Sequence, residues 1–158
     1  MPAKNDAELH AFVMNDLEKI ADEIGKYLVT QVQQTIDEEV YEVYLPKVYD
    51  RLYMSGGFIG SWINYAGRNG ENEVVANVFS NPYLMEFNPK EYQHGSEYGG
   101  DRRFEMAEDI RYGKGYDWGF DMERDFWTPI EDFVEDGTEI DNTLEIGFKK
   151  RNIKFIRM

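Results

Sequence analysis

The chain has 158 residues, 42% of them hydrophobic, enough for one domain with a packed core, which argues against wholesale disorder. Its formal net charge of -14 gives a surface that repels nucleic-acid phosphates instead of gripping them. It has no cysteine, which excludes disulfides and thiolate metal sites, and no apolar run long enough to span a bilayer.

The first residues, Met1 to Asp6, lack the apolar core of a signal peptide, so synthesis in a cytoplasm is expected. Residues 5–40 read as helix. Leu9, Val13, Leu17, Ile20, Ile24, Leu28, Val32, Ile36 and Val40 step by three or four and build one apolar stripe. Asn5 or Asp6 caps its start, with Glu8 in the first turn. The mean step exceeds the helical repeat, so the stripe drifts round a straight helix. Gly25 is expected to mark a bend, or the point where one helix becomes two.

Residues 41–87 read as an antiparallel β-meander. Strands are expected at Ser61 to Tyr65, Glu73 to Phe79 and Tyr83 to Phe87. Arg68-Asn69-Gly70-Glu71 is a hairpin signal between the first two, and Asn81-Pro82 a turn before the third. Residues 88–102, rich in Gly, Tyr and charge, read as a long loop or arm. Residues 103–158 read as helices and a basic C-terminal segment. A short helix runs from Phe104 to Arg111, a second starts at Thr128-Pro129 and stops at Gly137, and a third runs from Asp141 to Lys150. Ile153 to Ile156 has the composition of a final strand. The elements expected in this single domain are thus a long N-terminal helix, a small antiparallel sheet and short C-terminal helices.

Charge is unevenly spread. Lys149, Lys150, Arg151, Lys154 and Arg157 fall within the last ten residues, which hold no acid. A basic tail on an acidic chain is expected to dock on an acidic neighbour, such as another copy of the same protein.

The parts that catalysis needs are scarce. The two histidines, His10 and His94, read as a helix-surface residue and a loop or interface residue, and without Cys they make a weak zinc case. Asp37-Glu38-Glu39 with Glu42 reads as the solvated end of a helix. Asp121, Glu123 and Asp125 alternate as in a calcium loop, but Phe126 stands where the turn glycine belongs, so a polar loop is the simpler reading. Gly56-Gly57-x-x-Gly60 and Gly113-Lys114-Gly115 lack the spacing of phosphate loops and read as turns. Arg102-Arg103-Phe104 interleaves base and aromatic, but the surrounding acid argues against nucleic acid. No cofactor, no metal and no enzymatic activity are expected.

Tyr41, Tyr44, Pro46, Tyr49 and Arg51 follow the long helix, Ile110, Gly113, Gly115 and Tyr116 follow the loop, Arg124-Asp125-Phe126 precede a helix, and Leu144, Gly147, Phe148 and Lys149 stand near the end. In this order the elements resemble the tail-completion, or head-tail joining, family of long-tailed bacteriophages. The similarity runs from about residue 8 to 153. Two segments depart from it: the acidic stretch Asp117 to Glu123, and the long loop 88–102.

The resemblance implies a small α+β fold, with the antiparallel sheet packed on the long N-terminal helix and short helices at the C-terminus, and a ring, usually of six copies, in the virion neck, made in the host bacterial cytoplasm. The ring meets a head-closure (stopper) protein above and a tail tube protein below. Genomic DNA passes through without specific binding, and no membrane is involved. An acidic lumen suits such a channel, since it repels phosphates. The interface residues expected are Tyr44, Pro46, Tyr49 and Arg51, then Tyr92, His94 and Tyr98 in the loop, and Lys149, Lys150, Arg151, Lys154 and Arg157 in the basic segment. A reading from another class is a small acidic inhibitor that mimics DNA and binds a nucleic-acid enzyme. Acidity and aromatic content fit it; the ordered motifs and the basic segment do not.

Overall fold

The structure, a computed structural model, describes residues 5–43, 54–86, 102–112 and 124–154. The fold is α+β, as expected: a long N-terminal helix, a two-stranded antiparallel sheet and short C-terminal helices. The helices are α1 (Asp6–Ile36), α2 (Met106–Tyr112), α3 (Trp127–Asp136) and α4 (Thr138–Lys150), and the strands are β1 (Trp62–Arg68) and β2 (Val74–Ser80). The described residues gather into two compact units. One draws on Met1–Val29, Asn64–Val78 and Val134–Met158, the other on Thr30–Ile63 and Phe79–Phe133.

The first unit holds the N-terminal part of α1, the hairpin tip and α4. Asn5 caps α1, its side chain accepting the N–H of Glu8 at 2.8 Å. Two glycines set how closely α1 is approached. A Cβ at Gly25 would stand 2.9 Å from both Cβ and Nδ2 of Asn64 on β1, and one at Gly147 would stand 2.9 Å from Cγ1 of Ile20. Gly25 therefore lets a strand lie against the helix. It does not divide the helix: α1 runs unbroken through it. Burial follows the apolar stripe only in part. Ile20 is buried, but at the N-terminal end Met14 is buried and Leu9 is exposed. That is where a stripe longer in step than the helix must leave the packed face.

The hairpin closes where expected. The Asn69 N–H donates to the Glu73 carbonyl at 2.9 Å, and Gly70 takes a left-handed φ of 95°. Arg68 donates to Asn15 Oδ1 at 2.6 Å and pairs with Glu18, fastening the strand end to α1.

In the second unit α1 continues into a wide π-helical turn, Asp37–Tyr41, closed by the Glu42 N–H on the Asp37 carbonyl at 2.8 Å. The extra residue per turn absorbs part of the stripe's drift, so Ile36 and Val40 are both buried. The Tyr41 hydroxyl accepts the Ile59 N–H at 3.3 Å, tying the end of the helix to the turn Ile59–Ser61 ahead of β1. Beside it Phe58, Trp62, Phe126 and Trp127 form an aromatic cluster with ring centroids 5.6–6.2 Å apart, mostly edge to face. The buried Trp62 indole N–H has no hydrogen-bond partner among the described residues, and ring packing holds this residue.

Three expectations change here. The third strand of the meander is absent at its start. Pro82–Leu84 is a 3-10 turn, because Asn81 caps it through the Tyr83 N–H and Pro82 supplies no donor for a ladder. Helix α3 starts one residue early, at Trp127, with Asp125 as the capping side chain in place of Thr128: its carboxylate accepts the N–H groups of Trp127 and Thr128 at 3.1 and 3.0 Å. The last helix begins at Thr138, three residues before Asp141, directly after Gly137 at φ 65°.

Candidate functional site: surfaces for assembly

Most of the interface residues expected from sequence, namely Tyr44, Pro46, Tyr49, Arg51, Tyr92, His94, Tyr98 and Arg157, lie outside the described residues. Lys149, Lys150, Arg151 and Lys154 lie within them, and they divide. Lys149 is exposed and pairs along α4 with Glu145 at 3.3 Å. Lys150 and Lys154 are exposed. Arg151 turns inward onto its own chain. Its Nη1 donates to the Gly147 carbonyl at 3.1 Å, its Nη2 to Glu23 at 2.9 Å, and its Nε lies 3.9 Å from the buried carboxylate of Asp16. Lys19 meets Asp16 as well, at 3.1 Å.

This clasp joins the end of α4 to α1 within the first unit. It was invisible in the sequence, where Arg151 is one cation among five and Asp16 one polar residue beside an apolar stripe. The only hint was that Asp16, Ile20 and Glu23 stand three and four apart, and so share a helix face.

Among the described residues, three carboxyls are held below their ordinary values. The Arg151 guanidinium hydrogen-bonded to Glu23 holds that carboxyl below 4.5. The Lys26 ammonium, then the Asn64 amide, hold Asp22 below 3.8. The Thr128 hydroxyl, then its N–H and that of Trp127, do the same for Asp125. Each carboxyl is thus more acidic folded than unfolded. Their contribution to stability is complete above about pH 4.5 and is lost as pH falls through the folded values. Urea titrations from about pH 7 to about pH 3 are expected to show a plateau and then a decline. A stability that rises on acidification would contradict the assignment.

Of the remaining candidates for chemistry, those within the described residues have places in the fold. His10 is exposed and bonds through Nε2 to Asn72 Oδ1 at 2.9 Å, across to the hairpin turn. Glu38, Glu39 and Glu42 are exposed at the π turn. Asp125 is a helix cap, and Asp121 and Glu123 lie outside the described residues, as do Gly113 to Gly115. At Gly60 a Cβ would fall 2.3 Å from the Met54 carbonyl oxygen, so that glycine belongs to a tight turn. Among the described residues, no group of three or more His, Cys, Asp or Glu could hold a metal ion, and no helix is long and apolar enough to cross a membrane.

What the surface does offer is exposed apolar side chains. On the first turns of α1 these are Leu9 and Phe12. In the second unit Tyr83 and Phe104 are 76% and 56% exposed and meet edge to face, with centroids 5.5 Å apart. Met54 and Leu84 are exposed too. The Tyr83–Phe104 pair is braced from below by Arg103, whose Nη1 donates to the Met85 carbonyl at 2.9 Å. The sequence reading missed this pair because it placed Tyr83 in a strand and Phe104 in a helix.

Neither a curated protein nor a solved structure matches the chain. A protein family does: residues 5–150 match YomN. With nearly its whole length matched, the chain belongs to the YomN family, a phage-derived family of the Bacillus phage type, and is thereby a phage-associated protein.

Proposed function

We propose that the chain is a structural protein of a tailed phage virion, and not an enzyme. In this reading, copies assemble into a ring, of six subunits, at the head-tail interface. The ring joins the tail tube protein to the head-closure protein and leaves a channel for DNA. The subunit is made in the host cytoplasm and ends in the neck of the particle.

The observation that carries the reading is the set of large apolar side chains left exposed on a phage-associated chain, Leu9, Phe12, Tyr83 and Phe104 foremost. Exposed aromatic and aliphatic groups of this kind suit the buried centres of protein interfaces. The order of motifs supports the neck in particular, and the net charge of -14 suits a lumen that repels phosphates.

Light scattering on the purified protein, together with imaging of whole particles, tests this. The expected mass is a six-fold multiple of 18.6 kDa, with the protein at the top of the tail. A stable monomer that inhibits a nucleic-acid enzyme and is absent from particles would instead favour the DNA-mimic reading.

A further inference from the structure

We propose that the tip of the hairpin, residues 64–78, is a latch that lifts from α1 as one piece while α1 and α4 stay packed together. It is a conformational device inside the first unit, separate from any contact between copies.

Helix α1 is held in two different ways. Against α4 the contacts are buried: Ile20 lies on Gly147, and the buried carboxylate of Asp16 faces Arg151. Against the hairpin the bonds join polar side chains. His10 Nε2 meets Asn72 Oδ1 at 2.9 Å, Arg68 donates to Asn15 Oδ1 at 2.6 Å and pairs with Glu18, and Asn64 Nδ2 donates to Asp22 Oδ1 at 2.9 Å. The Arg68 and Glu18 side chains are 37% and 35% exposed, so their pairing contributes little in water. Asn64 also lies over Gly25, which has no side chain to interlock with it.

The hairpin supplies little packing of its own. The bonds from Asn69 to Glu73 and from Asn81 to Ser61 fix its register. Strand alternation then puts Asn64, Ala66 and Arg68 on the face toward α1, beside Val78, Ala76 and Val74 of β2. The apolar side chains of this face are half-buried, and none of residues 64–78 is buried. A two-stranded hairpin alone is marginally stable in water, so once lifted it loses its ladder. Few buried apolar contacts and surface-exposed bonds are the marks of a segment that opens below global unfolding.

Hydrogen exchange of the whole chain, followed amide by amide in low urea, tests this. The ladder amides of Tyr65, Gly67 and Asn69 should share one protection, lower than that of Ile20 and Gly147 and nearly independent of urea, because the opening exposes little surface. Arg68→Ala should lower the protection of all three about fivefold and leave Ile20 and Gly147 unchanged. Gly25→Ala should act in the same direction from the helix side, since its Cβ would stand 2.9 Å from Asn64. Ile20 should keep its protection in that variant, because alanine favours a helix more than glycine does.

If Tyr65, Gly67 and Asn69 exchange with the protection and urea dependence of Ile20, the hairpin belongs to one cooperative unit and the latch is refuted. Protection that climbs step by step from Asn69 to Tyr65 would mean fraying from the turn, and would refute it too. So would either substitution lowering Ile20 and Asn69 alike.

Discussion

Replacing Phe126 by alanine is expected to cost about 3–5 kcal/mol, the usual toll for truncating a buried aromatic to alanine. Phe126 is 1% exposed and stacks edge to face on Phe58 at 5.6 Å and on Trp62 at 6.2 Å. It also leads into α3, where the next residue, Trp127, packs on Trp62 at 5.9 Å. Truncation therefore removes apolar contact and leaves a cavity among rigid rings that cannot easily collapse into it. A chain of this size has about 5–15 kcal/mol to lose, so the variant should unfold at much lower urea, with the dependence on denaturant little changed. Tyr83→Ala provides the comparison, since a side chain 76% exposed should change stability by about 0.5 kcal/mol or less. Equal losses in the two variants would mean that the aromatic cluster is not the core of its unit.

Arg151→Met is expected to destabilise by about 2–3 kcal/mol. Removing one partner of a buried ion pair costs about 3–5 kcal/mol, because the remaining charge stays desolvated. The figure is smaller here for two stated reasons: Glu23 is 39% exposed, and Asp16 keeps Lys19. Methionine retains much of the arginine stem's packing, so the loss reports the guanidinium. Adding Asp16→Asn and Glu23→Gln should return part of the loss, because neither side chain would then be a carboxylate that has lost its Arg151 cation. The variant should also lose part of its decline in acid, since Glu23 then lacks the donor that lowers it. Additive losses across the triple variant would show that the three side chains do not act together.

How much of this was legible differs from element to element. The long helix, its cap at Asn5 and the hairpin at Asn69-Gly70 were readable, because each depends on spacing or turn chemistry within a few residues. Phe126 was not. In sequence it follows an acidic stretch and stood only where a calcium loop would need glycine and in a short motif before a helix, yet among the described residues it is the largest fully buried side chain. Its role comes from Phe58 and Trp62, more than sixty residues earlier. Gly25 was expected to mark a bend or the point where one helix becomes two; α1 continues through it as one helix, and Asn64 comes close there. Interface residues were expected at 44–51, in the loop 88–102 and in the basic segment, and most of them lie outside the described residues. Arg151 proved to be engaged within its own chain, and an exposed aromatic pair emerged where a strand and a helix were expected.

By itself the sequence determined the α+β class, the long helix, the hairpin and the uneven charge. These follow from local periodicity, turn residues and composition, which act over short distances. The tertiary structure decided which side chains those elements bury or bring together. Asp16 and Glu23 with Arg151, Ile20 with Gly147, and Phe58 with Phe126 are separated by long stretches of chain. Their meeting depends on how the elements close on one another, and no local pattern encodes that.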